Sequence, residues 1–392
     1  MASDSLCPNC KRQGRVYCPH KPSLAIAAEL RQSIKQDIFG PTPPNVFVGH
    51  NFYPNLYWGP LVALSHEGVA DSPADWYGMN FDQIIRQRSL LVRGKKRMDA
   101  KSVSYTTERI LSNTQDAIMS IKPIDVEAHF SKKPEFRIEL DSVHAPMGAS
   151  APIEKLSLAE NPKIPKRVDE LINERILASD AISELSRAGL DNYYLTKLIS
   201  AGLLGRKDSR KLVPTKWSIT AIDDMLAKTL MEKIRLAPEV SEFLVFENQY
   251  LYNHFVILLA PGAWEYEQFE AWATGGLNAN ISEEYEPYFG RGDYAESQGG
   301  GYYAARIGVC EYLASKNRQA RAVVFREIQP EYEMPVGVWE VRENVRHAMK
   351  KPPRKFGSLH EAMGVIAGRL RIPKSSYLKL SRILRQKRLV DF

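Results

Sequence analysis

Three cysteines and a histidine near the N-terminus have the types and spacing of metal ligands. Cys7 and Cys10 form a C-x2-C pair, and Cys18 and His20 follow after seven intervening residues. Zinc takes four nitrogen or sulfur ligands in a tetrahedron, and a C-x2-C pair can reach one ion from a tight turn. So short a segment has no room for a hydrophobic core, so the metal would supply the folding energy. We predict a structural zinc knuckle over residues 1–22.

Two alternatives to this knuckle stay open. The segment is a tail with chance thiols, or the fourth ligand comes from the body of the protein, as Cys310 or His50. No glutamate lies in a general-base position beside the cysteines, so the predicted zinc is structural rather than catalytic.

The C-terminal residues contain a second pattern with a defined chemistry. Gln386, Leu389 and Phe392 are spaced three apart, which places them on one face of a 3₁₀ turn. Ligands of the replication sliding clamp (PCNA) use this arrangement, with the glutamine at a polar pocket and the apolar groups in a hydrophobic one. We predict a clamp-binding tail over 381–392; the competing interpretation continues an amphipathic helix through "YLKLSRILRQKRL". A single aromatic residue predicts weaker binding than two adjacent ones.

Positive charge is concentrated toward the same end of the chain. From Val341 to Phe392 there are 14 Lys+Arg and three acidic residues, a net charge of +11. The other 340 residues contain 39 basic and 43 acidic residues, a net charge of −4. This asymmetry points to a polyanionic partner such as DNA.

Residues 168–220 have the outline of a winged helix-turn-helix. Two short amphipathic helices, the second with Asp191 near its N-cap, precede the stretch "RKDSRKLVPTKWSIT", which we predict as a hairpin with a basic tip. The second helix would enter the major groove and the hairpin would contact the backbone. The predicted DNA-binding residues are Tyr193, Lys197, Arg206, Lys207, Arg210 and Lys211. Winged helices also bind proteins, and that alternative stays open.

A glycine run from 299 to 301 precedes a helix predicted over 302–317. Glycines before a helix N-terminus can cradle a phosphate, because backbone N–H groups and the helix dipole point toward it. A phosphate or nucleotide site would use Arg291, Glu296, Gly299, Gly300, Tyr302 and Arg306. The run matches neither a Walker A loop nor a G-x-G-x-x-G after a strand, and a tight turn before a core helix is the competing interpretation. No catalytic spacing is recognisable, so catalytic residues stay unknown.

Hydrophobic periodicity predicts the other elements less specifically. We expect a helix over 23–39, a helix that begins after Asp71 or Ser72 and closes on the basic residues 93–97, and a connector over 150–167. "HFVILLAPG" predicts a buried strand, and the acidic aromatic stretch after it predicts a helix.

The composition, 44% hydrophobic and 25% charged, is that of an ordinary soluble protein. The longest apolar run is too short to span a bilayer, and the N-terminus lacks a signal-peptide layout. We expect a cytoplasmic, nucleoid-associated protein. The fold class is predicted as multidomain α+β, with a zinc knuckle, a mixed α/β body containing the winged segment, and a basic helical C-terminal tail.

Long phrases of the chain resemble the archaeal NreA family of DNA repair proteins. They are "VFVGHNFYPNLYWGPL", "HAPMGASAP", "RKLVPTKWSITAIDD", "YAESQGGGYYAARIGVCEYL" and "REIQPEYEMPVGVWEVRE". The resemblance runs from the zinc knuckle to the last residue. It implies an N-terminal region over 23–285, a C-terminal region over 286–380, a role in DNA damage repair, a zinc-binding N-terminus and a clamp-binding C-terminus. Family members bring four cysteines to the knuckle; this chain has three there, with His20 as the natural substitute.

Three functions follow from these features. The first is a repair factor that binds DNA and is recruited by the sliding clamp. The second is an enzyme, a nuclease or a nucleotide-dependent modifying enzyme, with its site in the glycine-rich segment 290–306. The third is a scaffold that binds only proteins. The charge asymmetry, the predicted knuckle and the tail favour the first.

Overall fold

The described part of the chain forms two compact units. A computed structural model describes residue 30 and the ranges 34–65, 71–273, 280–332 and 334–385. The first unit contains the described residues up to Ile222 together with Met334–Gly337, and the second contains the other described residues from Asp223 onward. The division predicted near residue 285 falls inside the second unit. No helix of the described residues is long and apolar enough to cross a membrane.

The first unit is built on a mixed sheet. Its strands are β1 (Asp37–Thr42), β2 (Val46–Val48), β3 (Asn55–Ala63), β4 (Leu91–Asp99), β5 (Ile124–Phe130) and β6 (Ser150–Leu158). Their order across the sheet is β1–β5–β6–β4–β3–β2. Neighbours pair antiparallel, except that β4 and β6 are parallel.

Helices accompany this sheet and the one in the second unit. Those of the first unit are α1 (Pro73–Trp76), α2 (Phe81–Ser89), α3 (Arg109–Met119), α4 (Lys166–Leu171), α5 (Ala178–Arg187) and α6 (Asn192–Ser200), with 3₁₀ segments at Ala100–Ser104 and Lys207–Ser209. Those that follow are α7 (Thr215–Ile234), α8 (Gly300–Lys316), α9 (Trp339–Lys350), α10 (Leu359–Ala367) and α11 (Lys374–Leu380). The division between the units lies within α7.

The second unit contains another mixed sheet. Its strands are β7 (Phe243–Tyr250), β8 (Asn253–Ala260), β9 (Glu265–Trp272), β10 (Ile281–Glu286), β11 (Arg321–Ile328) and β12 (Arg354–Phe356). Their order is β10–β9–β11–β8–β7–β12, with β9 and β11 parallel. Mixed sheets with helices confirm the α+β prediction. The buried strand predicted from "HFVILLAPG" is confirmed as β8, and the helix predicted over 302–317 is confirmed as α8.

Three predictions of local structure are wrong because partner strands override the local pattern. Residues 37–39, predicted as the end of a helix, lie in β1 and pair with β5. The connector predicted over 150–167 begins with β6, in the interior of the sheet between β5 and β4. The acidic aromatic stretch forms β9, which is largely buried. Such a strand shows no period-two alternation that would distinguish it from a helix.

The segment between 80 and 99 changes from helix to strand earlier than predicted. Ser72 precedes α1, and Asn80 caps α2 through a reciprocal capping box with Gln83. Asp71 caps neither helix, because its carboxylate pairs with the buried Arg88. The helix ends at Ser89, and the basic residues that follow it lie on β4 because this segment pairs with β3.

The two helices predicted in the winged segment are present, but the hairpin is not. Asp191 caps α6 by accepting a hydrogen bond from the Tyr194 N–H, 2.7 Å. The stretch predicted as a wing instead forms the 3₁₀ turn Lys207–Ser209 and then α7. Pro214 precedes this helix, where its missing N–H and fixed φ cost nothing. The predicted wing is therefore wrong.

Two buried carboxylates anchor the C-terminal segment. Glu327 accepts hydrogen bonds from the N–H groups of Arg371 and Ile372, 2.8 and 2.9 Å, and from the Tyr377 hydroxyl, 2.9 Å. Glu267 accepts from the Ser381 hydroxyl and the Arg382 N–H, both at 2.5 Å. This second anchor coincides with the end of α11 at Leu380. The amphipathic helix considered through residue 389 is therefore broken there.

We predict that Glu267 makes the second unit less stable as the pH rises. Burial raises its pKa to about 7 from 4.5, against opposing hydrogen bonds from Ser381 and Arg382. Because the folded state retains this proton longer, the free energy of unfolding falls between about pH 4.5 and 7. Glu267→Gln removes the titration, so its stability relative to the wild type should rise across that window by about 3 kcal/mol. Urea unfolding at several pH values measures this difference.

The matched control for that experiment is Glu331→Gln, which changes an exposed glutamate of the same unit. It gives the change in stability caused by removing one exposed carboxylate at each pH. If the Glu267→Gln difference does not rise relative to this control between pH 4.5 and 7, the assignment of the shift to Glu267 is contradicted.

Candidate nucleic-acid interface

A groove of about 860 Å³ opens on the sheet of the first unit. Its walls come from the 49–54 loop between β2 and β3, from β3 and β4, and from the segment 132–144. Five basic side chains line it: Arg93, Lys95, Lys96, Arg97 and Lys132. The remainder includes aromatic, carboxylate and histidine side chains, together with small and aliphatic residues, among them residues 150–153 at the start of β6.

Close contact between two strands shapes one wall of this groove. A Cβ atom on Gly59 of β3 would lie 2.0 Å from the carbonyl oxygen of Gly94 on β4. No side chain fits in that distance, so glycine at position 59 is a steric requirement. The pairing of Trp58 with Lys96 and of Leu61 with Arg93 on either side sets which β4 residues face the groove.

The strand β4 presents a row of cations. Successive side chains of a strand point to opposite faces, so Arg93, Lys95 and Arg97 share one face, at intervals of about 6.7 Å along the strand. Exposure increases along the row: Arg93 is buried, Lys95 is half-buried and Arg97 is exposed. The groove therefore has a deep end at Arg93 and a mouth at Arg97.

A carboxylate compensates the charge at the deep end. The Nη2 atom of Arg93 lies 3.1 Å from both carboxylate oxygens of Glu139, and its guanidinium carbon lies 4.5 Å from the Phe47 ring centre. Burial lowers the pKa of Arg93, and Glu139 opposes the shift. Arginine stays protonated in proteins, so this end holds a fixed ion pair.

Lys95 and Arg97 are not compensated in this way. Among the described residues, neither has an acidic partner within ion-pair distance. Burial, then the charge of Arg93, lowers the pKa of Lys95, while Glu139 and Glu135 oppose the shift. By contrast, Lys96 pairs with Glu108 at 3.0 Å and Lys132 with Glu135 at 2.5 Å. The excess positive potential of the groove therefore originates from Lys95 and Arg97.

A polar cluster lines the other wall. Asp141 accepts hydrogen bonds from the Val143 N–H, 2.7 Å, and from Lys216 Nζ, 3.0 Å. Burial raises the Asp141 pKa, but His144, Val143 and Lys216 outweigh it and the pKa ends below its ordinary value. Burial lowers the His144 pKa, and its Nδ1 donates to the Ala145 carbonyl at 3.0 Å. At neutral pH this cluster holds a charged aspartate beside a neutral histidine.

Two exposed aromatic rings line the groove, and a second aromatic pair lies on the 49–54 loop and on α7. Phe52 and Tyr57 line the groove with 72% and 45% of their surface exposed, respectively. The Tyr53 ring packs against Trp217, 5.1 Å between centres. Monomeric proteins rarely leave such rings in solvent together, and contiguous exposed apolar groups mark interaction sites.

The DNA-binding residues predicted from sequence lie in this unit, but not in the groove. Tyr193 and Lys197 are partly buried on α6, and burial lowers the Lys197 pKa against the charges of Asp71 and Asp191. Arg210 donates to the carbonyls of Gly205 and Ile172, 3.0 and 2.6 Å.

The other three cations of that segment are exposed: Arg206, Lys207 and Lys211. The Leu212 N–H donates to the carbonyl of Ala100, 2.9 Å. Because Ala100 directly follows β4, this contact places the exposed Lys211 beside the end of the strand that carries the groove cations.

The residues of the predicted phosphate site form a core ion-pair network instead of a free pocket. Arg306 is fully buried between Asp224, 2.5 Å away, and Glu286, and the Tyr302 hydroxyl donates to Glu286 at 3.0 Å. Arg291 pairs with Glu284 at 2.7 Å. Carboxylates of the protein therefore compensate both arginines.

The glycines of that segment form the turn before α8 and the first turn of that helix. Gly299, at φ 53°, precedes α8 and donates its N–H to the Ala295 carbonyl at 2.7 Å, whereas Gly300 is buried in the first turn. Glu296 is exposed. This arrangement is a turn that leads into a core helix.

The predicted zinc ligands Cys7, Cys10, Cys18 and His20 lie outside the described residues, as do the clamp-binding residues Gln386, Leu389 and Phe392. In the ranges that the structure describes, no group of three or more His, Cys, Asp or Glu residues is placed to hold a metal ion. Cys310, the alternative fourth zinc ligand, is buried, and burial raises its thiol pKa.

Sequence reasoning noticed the basic stretch "RGKKR" but placed it at the end of a helix. On a helix, residues 93, 95 and 97 would point in different directions; on a strand they share a face. The available signal was the apolar run "LLV" directly before the basic stretch; in the structure its last two residues pair with Ala63 and Val62 of β3. Phe52 and Tyr57 were within the family phrase, but nothing in their spacing marked them as exposed.

Fold and groove together define a two-unit α+β protein with an anion-attracting, aromatic-rimmed groove. The family profile described as "Archaeal Nre, N-terminal" matches residues 13–278, and "Archaeal Nre, C-terminal" matches residues 286–392. The chain therefore belongs to the archaeal Nre family.

Named relatives cover most of the chain. It is 37% identical to DNA repair protein NreA of Archaeoglobus fulgidus over 93% of both chains. It is 34% identical to DNA repair protein NreA of Haloferax volcanii, over 80% of this chain and 78% of the relative. DNA repair protein NreB of Archaeoglobus fulgidus is also 34% identical, over 96% of each chain. No solved structure matches.

We predict that the buried ion pairs of Arg306 stabilise the folded state of the second unit. Arg306→Ala would leave Glu286 buried without its cation, which costs about 3–5 kcal/mol in comparable buried pairs. Thermal or urea unfolding should show this loss, whereas Arg318→Ala, at an exposed arginine of the same unit, should change stability by less than about 0.5 kcal/mol. A double variant, Arg306→Met with Glu286→Leu, should recover part of the loss. A fully stable Arg306→Ala protein would contradict the core role.

Proposed function

We propose that this protein is a DNA damage repair factor that binds DNA through the groove and is recruited to the replication sliding clamp by its C-terminal motif. The observation that carries the DNA part is the cation row of β4, in which Lys95 and Arg97 lack acidic partners among the described residues and lie beside exposed aromatic rings. Two relatives that cover most of the chain are named DNA repair proteins, which supports the repair role.

The chemistry of the groove favours DNA over a small anion. A small anion is usually held by convergent donors in an enclosed pocket, whereas this groove has an exposed cation, Arg97, and is edged by the exposed rings of Phe52 and Tyr57. A nucleic acid presents both a row of phosphates and apolar base faces, which match cations and aromatic rings, respectively. The exposed Arg206, Lys207 and Lys211 would extend the basic surface beyond β4.

The residues directly before the proposed clamp motif are held by specific contacts, which supports the proposal that the motif binds the clamp. The Glu267 anchor, the burial of Ile383 and the hydrogen bond from Arg321 to the Ile383 carbonyl, 2.7 Å, order the chain up to a few residues before Gln386. A short recognition motif that starts beside an ordered anchor loses less entropy on binding than one on a long tether.

The zinc knuckle stays part of the proposal. Zinc would supply the cross-link that folds the short N-terminal segment, with Cys7, Cys10 and Cys18 as thiolate ligands. Cys310 is buried within α8, whereas His50 is exposed on the first unit. We take His20, two residues from Cys18, as the fourth ligand, with His50 as the alternative.

The DNA part is tested by removing the uncompensated cations. Lys95→Ala with Arg97→Ala should weaken DNA binding and reduce the slope of log K against log salt by about 1 to 2, since each lost phosphate contact contributes 0.7 to 0.9. Fluorescence anisotropy with a labelled oligonucleotide at several salt concentrations measures both quantities.

Two comparison variants locate the interface. Lys166→Ala removes an exposed lysine on α4 and should leave binding unchanged. Arg206→Ala with Lys211→Ala tests the surface predicted from sequence. If this second pair accounts for the whole salt dependence and the β4 pair for none, the groove is not the DNA site.

The clamp part is tested by deleting residues 386–392. The truncated protein should lose binding to the sliding clamp, measured by calorimetry or surface plasmon resonance, and keep its unfolding midpoint, because the deletion begins after the buried Ile383. Gln386→Ala with Phe392→Ala is the matched point variant. Clamp binding that survives truncation would contradict the motif.

A further inference from the structure

The aromatic rim of the groove has features that a purely electrostatic DNA site does not need. Phe52, at the tip of the 49–54 loop, exposes 72% of its surface, more than most large apolar side chains of the first unit. Duplex DNA offers phosphates on its outside, and its base faces are covered by their neighbours. An exposed ring at a DNA site therefore implies access to bases that are not stacked in a duplex.

The rim ring on β3 is coupled directly to the cation row. Tyr57 is the cross-strand partner of Arg97, and directly opposed residues of an antiparallel pair share a face. A ring and a cation side by side are the pair of groups that a single strand requires, one for a base and one for its phosphate.

The loop that carries Phe52 is held in place. Its base is closed by a hydrogen bond from the Gly49 N–H to the Tyr57 carbonyl, 2.8 Å, and its far end by one from the Ala100 N–H to the Pro54 carbonyl, 2.8 Å. Tyr53 packs on Trp217. Phe52 itself has φ 66°, a conformation that a non-glycine residue rarely adopts. The ring is thus presented on a fixed support, which lowers the entropic cost of stacking a base on it.

We infer that the groove selects DNA with unpaired nucleotides, and that Phe52 and Tyr57 are the base-stacking residues while Lys95 and Arg97 contact the phosphates. This inference rests on the proposed DNA binding and adds a substrate class to it. The selection arises because a stacking ring gains contact only with an exposed base face, whereas the cations bind the backbone of any DNA.

The experiment compares a single-stranded oligonucleotide with a duplex of the same sequence and length. Wild-type protein should prefer the single strand. Phe52→Ala and Tyr57→Ala should each weaken single-strand binding by at least about 5-fold, the effect typical of one lost base stack, and should change duplex binding by less than about 2-fold. Arg97→Ala should weaken both.

Controls separate stacking from folding and from general apolar contact. Phe289→Ala removes a ring that is 89% exposed in the second unit and should leave both affinities unchanged. Phe52→Trp should retain the single-strand preference. A single strand with 2-aminopurine should lose fluorescence on binding to the wild type, and this quenching should be reduced in Phe52→Ala.

The outcomes distinguish this inference from the proposed function. If the wild type binds single strand and duplex equally and the aromatic variants weaken neither, or weaken both alike, base selection is overturned while DNA binding stands. If the wild type binds neither the single strand nor the duplex, both the base selection and the proposed DNA binding are contradicted. A loss confined to the single strand, with reduced quenching, supports the inference.

Discussion

The close approach of β3 and β4 is the constraint on which the first unit's groove depends. Gly59 lies so near the Gly94 carbonyl that a single added carbon would collide with it. The two strands therefore run side by side in close contact, and their antiparallel register places Tyr57 opposite Arg97 and Trp58 opposite Lys96. A slip of one residue would send the whole cation row to the other face of the sheet. The electrostatic character of the groove is thus a consequence of backbone packing.

The second unit depends instead on buried charged side chains, each of which has a specific partner. Arg306, Arg342 and Arg326 each meet a carboxylate in the interior, and Glu267 and Glu327 accept hydrogen bonds from the C-terminal segment. Buried ion pairs contribute little net stability, yet removing one partner is costly. Such a network favours one arrangement of helices and tail over alternatives. It orders the chain up to the start of the proposed clamp motif.

Much of the regular structure was predictable because its signals are local. Asp191 before "NYYLTKL" indicated a capped helix, and the unbroken apolar run "HFVILLA" indicated a buried strand; both are present. The errors fall where the signal is non-local. The stretch "EYEQFEAW" is a strand because β11 lies beside it, and "RKDSRKLVP" forms a turn into α7 instead of a wing. The partner strand lies outside the first stretch, and in the second only the final Pro214 indicates that a helix begins.

The sequence by itself determined the family, the α+β class, the charge asymmetry, and the spacing of the cysteines and of Gln386, Leu389 and Phe392, because these depend only on residue identity and order. Only the tertiary structure decided which cations face a groove and which are neutralised. Arg306, predicted for a phosphate, is enclosed by Glu286 and Asp224, whereas Arg97 has no such partner among the described residues. The physical reason is that compensation of a charge depends on distance in space, and carboxylates 20 and 82 positions away along the chain leave no trace in the local pattern around an arginine.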